Sequence, residues 1–261
     1  MELTVQLGAC GEPRSVSLRV VSRSDQGDRS ENQDALKHGA IGEWQVCVIA
    51  DGAGGHHGGR VAAQRAVDSF VELFLMNPTI CQAQLRALVN QVNKHILEMQ
   101  QLYSELRDMH TTLCALVINR LSRQDMWLHV GDSRLYRFSQ DVLVSRTRDH
   151  SLSQWMADHQ PSQLPPARNM LYTALGEPAS ELIVDISDVC TVSPGDWFLL
   201  CSDGLWEYFS DTEFGLLGLS LWDQDHCCRH IHQLALDRAS GRTDNLSSII
   251  LFVGEGGHSN G

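Results

Sequence analysis

Hydrophobic residues along the chain follow two rhythms. Short runs rich in Val, Ile, Leu and aromatic residues, bounded by Gly, Asp and Ser, predict strands over 15–22, 45–50, 113–118, 126–130, 135–138, 143–146, 182–186, 197–202 and 247–253. Apolar residues recurring at steps of three and four predict long helices over 60–76 and 83–105, with a further helix over 223–239. Strands crowd the middle of the chain and the two long helices are consecutive. That order predicts an α+β fold with mainly antiparallel sheet, its faces covered by helices, rather than strict βαβ alternation. The stretch 160–167 holds three prolines, so an irregular surface excursion is expected within 149–176, with the character of a short substrate-facing flap. The tail 254–261 is rich in Gly and polar residues and is expected to be disordered.

A length of 261 residues suits one large domain, expected over 1–253. The 32 acidic residues outnumber 20 basic ones, for a net charge of -12. This balance argues against nucleic acid or an anionic membrane as partner and suits the capture of cations. No apolar run approaches the roughly 20 residues of a membrane-spanning helix. Leu7, Gly8, Ala9 and Cys10 loosely resemble a lipoprotein cleavage box, but Glu2 and the absence of an early Lys or Arg leave no proper signal peptide. The eight cysteines are scattered, without a C-x-x-C pair, which fits buried thiols in a reducing cytoplasm.

Five aspartates stand beside apolar runs and next to small or turn-forming residues: Asp34 in ENQDAL, Asp51 in VIADGAGG, Asp132 in HVGDSR, Asp203 in LLCSDGLW and Asp244 in TDNLSSII. Taken singly, an Asp beside a Gly reads as a turn. Together, carboxylates at strand ends can converge at one sheet edge, and an all-oxygen set favours Mg²⁺ or Mn²⁺ over structural Zn²⁺. A rival cluster, His226, Cys227, Cys228, His230 and His232, offers i,i+4 pairs to zinc, against the plainer reading of a packed helix with a wet face. P-loop, Rossmann, nucleophile-elbow and H-E-x-x-H patterns are absent.

Several blocks then occur in a telling order: Arg29-x-x-Asn32-Gln33-Asp34, Ala50-Asp51-Gly52 with the glycine-rich run after it, Thr111-Thr112, Gly131-Asp132-Ser133-Arg134, Asp149-His150-Ser151, Ala174-Leu175-Gly176, Ser202-Asp203-Gly204-Leu205 and Asp244-Asn245. Together they resemble the metal-dependent Ser/Thr protein phosphatases of the PPM (type 2C) family, bacterial branch. The resemblance implies a central antiparallel β-sandwich flanked by helices on both sides, a four-layer αββα arrangement, with two divalent ions at one end. It implies that Asp51 bridges the ions and that the Gly52 carbonyl binds one of them. Asp34 would reach the metal shell directly or through water, and Asp203 and Asp244 would hold the other ion. Asp132 with Asp203 would bind a third, weaker ion.

Two ions would supply hydroxide at neutral pH and neutralise the phosphoryl oxygens during in-line displacement. Arg29 would fork onto phosphate oxygens, a geometry open to Arg and not to Lys; the plain alternative is a solvated surface arginine. His56 is the candidate proton donor to the leaving alkoxide. Some relatives outside bacteria place a His directly after the Asp-Gly, where this chain has Ala53. The usual Gly before the Thr pair is His110, a departure that bears on substrate preference. The expected activity is hydrolysis of phosphoserine and phosphothreonine in proteins, opposing a Ser/Thr kinase, by a cytoplasmic monomer. The alternatives are a phosphatase-like binding module without catalysis and a phosphatase acting on a regulator in a partner-switching cascade.

Overall fold

The computed structural model describes residues 15–54, 57–160, 170–218 and 224–256. Among these, the elements follow as β1 (Val16–Asp25), β2 (Asp34–Ile41), β3 (Trp44–Ala53), α1 (Gly58–Met76), α2 (Gln82–Leu102), β4 (His110–Thr111), β5 (Leu113–Asn119), β6 (Gln124–Val130), β7 (Arg134–Ser139), β8 (Val142–Arg146), α3 (Leu152–His159), β9 (Asp185–Ile186), β10 (Cys190–Thr191), β11 (Asp196–Cys201), α4 (Asp203–Trp206), α5 (Asp211–Gly218), α6 (Gln224–Ala239) and β12 (Leu246–Glu255). One sheet has the order β1-β12-β11-β7-β8 and the other β10-β6-β5-β3-β2, with β4 paired to β3 and β9 to β6.

Period-two alternation distributes the strand residues between layers. In β3, Val46, Val48 and Ala50 pack with Phe70 and Phe74 of α1 and Leu85 and Val89 of α2. Their neighbours Cys47 and Ile49 face the other sheet, in a cluster with Phe198 and Leu200 of β11 and Ile249 and Leu251 of β12. Trp197, Leu199 and Cys201 of β11 point outward to Phe214 of α5 and Ile231 and Ala235 of α6. Three apolar layers thus separate four structural ones, and the αββα sandwich implied by the sequence blocks is the architecture observed.

The differences from the sequence expectations have local causes. β2 lacks an apolar run because it is a half-exposed edge strand with Lys37, His38 and Gly39 at its centre. The expected strand over 182–186 shortens to β9, since 182–184 are irregular and follow a turn at 179–181. The flap contains α3, whose Ser151 side chain accepts from the Gln154 N–H at 3.2 Å; residues 161–169, most of the proline-rich stretch, lie outside the described residues. β12 runs two residues into the expected tail, because Gly254 and Glu255 pair with Ser17 and Val16; 257–261 lie outside the described residues.

The rival zinc cluster divides between two faces of α6. His226 and His230 are exposed, whereas Cys227, Cys228 and His232 are buried. His232 is held by Asp25 Oδ2 at 2.7 Å and Ser248 Oγ at 2.9 Å. This Asp-His-Ser chain has the connectivity of a hydrolytic triad, but His232 and Ser248 are both 1% exposed and no substrate can reach them. It ties α6 to β1 and β12.

Candidate metal centre

Strand register brings the acidic residues to one edge of the sandwich. Asp34 opens β2 directly opposite Asp51 of β3, so the two side chains share a face. Asp132 follows the end of β6, Asp203 opens α4 immediately beyond β11, and Asp244 precedes β12. Asp51, Gly52, Asp132, Asp203 and Asp244 line one cavity of about 480 Å³, together with Arg29, Glu31, His110, Thr111, Thr112 and Asn245.

The backbone beneath these groups is pinned. The Asp51 N–H donates to Thr112 Oγ1 at 2.8 Å, and the Asp51 carbonyl accepts from the Thr112 N–H at 2.8 Å and Thr111 Oγ1 at 2.9 Å. Gly52 packs against Gly59 at the start of α1 so closely that a Cβ on Gly52 would run into the Gly59 carbonyl. Gly204 has the same relation to the Asn245 carbonyl, which lets the Asp203 turn approach the Asp244 loop. Asn245 donates to the Gln26 and Glu31 carbonyls at 2.8 and 3.0 Å, fastening the loop that carries Arg29. Asp132 is braced from behind. Arg134 grips Asp149 with two bonds of 2.7 Å and stacks over Trp206, whose indole N–H donates to the Asp132 carbonyl at 2.9 Å.

Electrostatics set this cluster apart from ordinary surface carboxylates. Burial pushes Asp51 well above the usual carboxylate range, and the charges of Asp34, Asp203 and Asp132 push it further. Burial and Asp203 do the same to Asp132. Asp203 is pushed up to about 6 by burial and Asp244. Asp34 is pushed up to about 7, burial again being the main cause. Buried carboxylates that raise one another lack a compensating cation. A hard divalent ion matches both the deficit and the all-oxygen donor set.

The structure brings Asp51, Gly52, Asp132, Asp203, Asp244 and Arg29 to a common cavity. Arg29 is engaged with Asp244, Nη2 to Oδ2 at 2.5 Å. Asp34 is adjacent but does not line the cavity. Its Oδ2 accepts from Ser202 Oγ at 2.7 Å, and its buried Oδ1 has no hydrogen-bond partner. His56 lies outside the described residues. Glu31 and Trp206 escaped sequence reasoning as contributors. They act through backbone or rim contacts, which leave no spacing signal.

A second group, His129, His150 and Asp185, lies within metal-ligating reach of one another. His150 Nδ1 accepts from the Gly131 N–H at 3.2 Å, so its Nε2 carries the hydrogen facing Asp185 Oδ2 at 3.1 Å. Both nitrogens of that ring are thereby occupied, and it braces the turn before Asp132.

Comparisons with known proteins follow the same outline. The family model described as Protein phosphatase 2C matches residues 22–224. The Ser/Thr protein phosphatase PstP of Mycobacterium tuberculosis is 31% identical over 245 residues, which cover 90% of this chain and 45% of that protein. The chain thus spans about half the length of that relative. The Ser/Thr phosphatase stp of Listeria monocytogenes is 32% identical over 206 residues, covering 73% of this chain and 79% of the relative. A solved catalytic domain of PstP in complex with two manganese ions superposes with a TM-score of 0.78 at 28% identity, covering 92% of this chain and all of that one. On this match of sequence and architecture, the chain belongs to the protein phosphatase 2C family.

Proposed function

We propose that this chain is a divalent-metal-dependent phosphatase that hydrolyses phosphoserine and phosphothreonine in proteins, opposing a Ser/Thr kinase, and that it works as a cytoplasmic monomer. The observation that carries the reading is the cavity lined by Asp51, Asp132, Asp203 and Asp244 with Arg29 at its side. The related PstP domain binds two manganese ions, and the oxygen-only wall here fits Mn²⁺ or Mg²⁺ in the same way. Asp51 would serve both ions, the Gly52 carbonyl would hold one of them, and Asp203 and Asp244 would hold the other. Asp132 with Asp203 would take a third. Asp34, behind Asp51, would act through water from its free Oδ1.

When bound, such ions lower the pKa of water and neutralise charge on the phosphoryl oxygens. The chain's own residues position and discriminate. Arg29 is paired with Asp244; with Asp244 holding a cation, its guanidinium would be free to fork onto two non-bridging phosphate oxygens. Thr111 and Thr112 hold the Asp51 backbone through its N–H and carbonyl, which fixes the point from which its carboxylate enters the cavity. Leu171 and Ala174, from the C-terminal end of the flap, close the wall beside them.

The test measures phosphate release from p-nitrophenyl phosphate and a phosphothreonine peptide, with and without Mn²⁺, for wild type and Asp203→Ala. The reading requires metal-dependent release that Asp203→Ala abolishes. Metal-independent activity, or none with any divalent ion, sinks it.

A further inference from the structure

We propose that His110 donates the proton that the departing serine or threonine oxygen needs. This step rests on the phosphatase reading above. β4 pairs with the end of β3 so that Thr111 lies opposite Gly52 and His110 opposite Ala53. Residues 51 and 53 point to the same face of their strand, and residues directly opposite in an antiparallel pair share a face. The His110 imidazole therefore stands on the same side of this ribbon as the Asp51 carboxylate, and it lines the same cavity.

The hydrogen bonds of the ring decide which nitrogen works. Nδ1 lies 3.0 Å from the Asp108 carbonyl; a carbonyl only accepts, so Nδ1 carries a hydrogen and Nε2 is the end that gains and gives a proton. Glu177 Oε1 stands 3.6 Å from Nε2, which orients the ring without tying that proton into a short hydrogen bond. The strand beneath is fixed by the reciprocal Thr111–Leu175 backbone bonds of 3.0 and 2.8 Å. The side chain is 32% exposed, open both to a substrate and to solvent. Among the described residues that line the cavity, His110 is the sole imidazole. Arg29 stays protonated throughout, and Glu31 is engaged by His57 and Arg60.

The water oxygen bonds to phosphorus while the P–Oγ bond breaks and its electron pair passes to Oγ. The Nε2 proton moves onto Oγ, giving the neutral alcohol. Solvent returns to the imidazole a proton equivalent to the one released by the attacking water.

The experiment compares kcat for the phosphothreonine peptide and for p-nitrophenyl phosphate, both with Mn²⁺, in wild type, His110→Ala, His110→Gln and His56→Ala. Nitrophenolate leaves without help, whereas an alkoxide does not. His110→Ala should lower peptide turnover about 100-fold and lower the peptide-to-nitrophenyl ratio at least about 10-fold. His110→Gln keeps a donor for the Asp108 carbonyl but releases no proton, so it should show the same loss of ratio while melting as wild type does. An unchanged ratio in both His110 variants, or a drop confined to His56→Ala, overturns the proposal. A wild type inactive on both substrates overturns the phosphatase reading itself, and this step with it.

Discussion

β6 and β11 each have one aspartate at the start of the strand and another just beyond its end, and the two ends solve the same problem in opposite ways. At the far end from the cavity, Asp125 of β6 and Asp196 of β11 are 0% and 4% exposed. Arg137 of β7 lies between them, with Nη1 3.2 Å from Asp125 and Nη2 3.3 Å from Asp196, and with a 2.7 Å bond to the Thr191 carbonyl. At the near end, Asp132 is 6% exposed and Asp203 is partly exposed at the cavity wall, and neither has an ion-pair partner among the cationic side chains described around it. One end carries its own counter-charge. The other presents a carboxylate deficit to whatever cation enters, which separates a structural charge network from a binding site.

The largest expected break of this contrast is in activity. Asp203→Asn keeps the shape of the near end and removes one charge; phosphate release should fall by about three orders of magnitude, or about 4 kcal/mol in transition-state stabilisation. The apo protein should keep its stability or gain about 1–3 kcal/mol above pH 7, because mutual repulsion is relieved; urea unfolding in EDTA checks this. At the far end the sign reverses. Arg137→Ala strands two buried carboxylates and should cost about 3–5 kcal/mol in the same unfolding assay, with no rescue by Mn²⁺.

The pH response sharpens the comparison next. Burial and Asp196 push Asp125 up to about 6 despite the opposing pull of Arg137. A carboxyl raised on folding stabilises the protonated folded state, so this contribution is present below the unfolded value near 3.8 and is lost as pH rises through about 6. Between pH 4 and pH 7, wild type should lose about 2 kcal/mol relative to Asp125→Asn, read as a pH-dependent gap between their denaturation midpoints. The smallest effect is stabilisation by ligand. Mn²⁺ at about 100 times its dissociation constant should add about 2.7 kcal/mol to wild type and to Asp125→Asn alike, and clearly less to Asp203→Asn.

The strands were legible because those buried on both faces read as short continuous apolar runs, while their assembly into a sandwich was implied by the family resemblance. β11 and β12 carry one apolar set for the inter-sheet layer and another for α5 and α6. The edge strand β2 was not, since a half-exposed strand needs no second apolar face. The aspartates were legible as a set because five short blocks in order specify more than any one Asp-Gly. What periodicity could not show is which partner each side chain finds. The Arg29–Asp244 pair joins residues 215 positions apart, and the placement of His110 opposite Ala53 is a fact of register across a long insertion. Ser151 to Gln154, by contrast, is a helix-start pattern visible in the sequence, and α3 could have been read from it.

The most direct test of the account is a calorimetric titration of the chelated protein with Mn²⁺, run for wild type, Asp203→Asn and Asp125→Asn. The account predicts at least two ions per chain for wild type and for Asp125→Asn, with affinity that strengthens between pH 6 and pH 8 as protons leave the near-end carboxylates, and the loss of at least one ion in Asp203→Asn. Equal Mn²⁺ binding by wild type and Asp203→Asn, or no binding by any of the three, would contradict it.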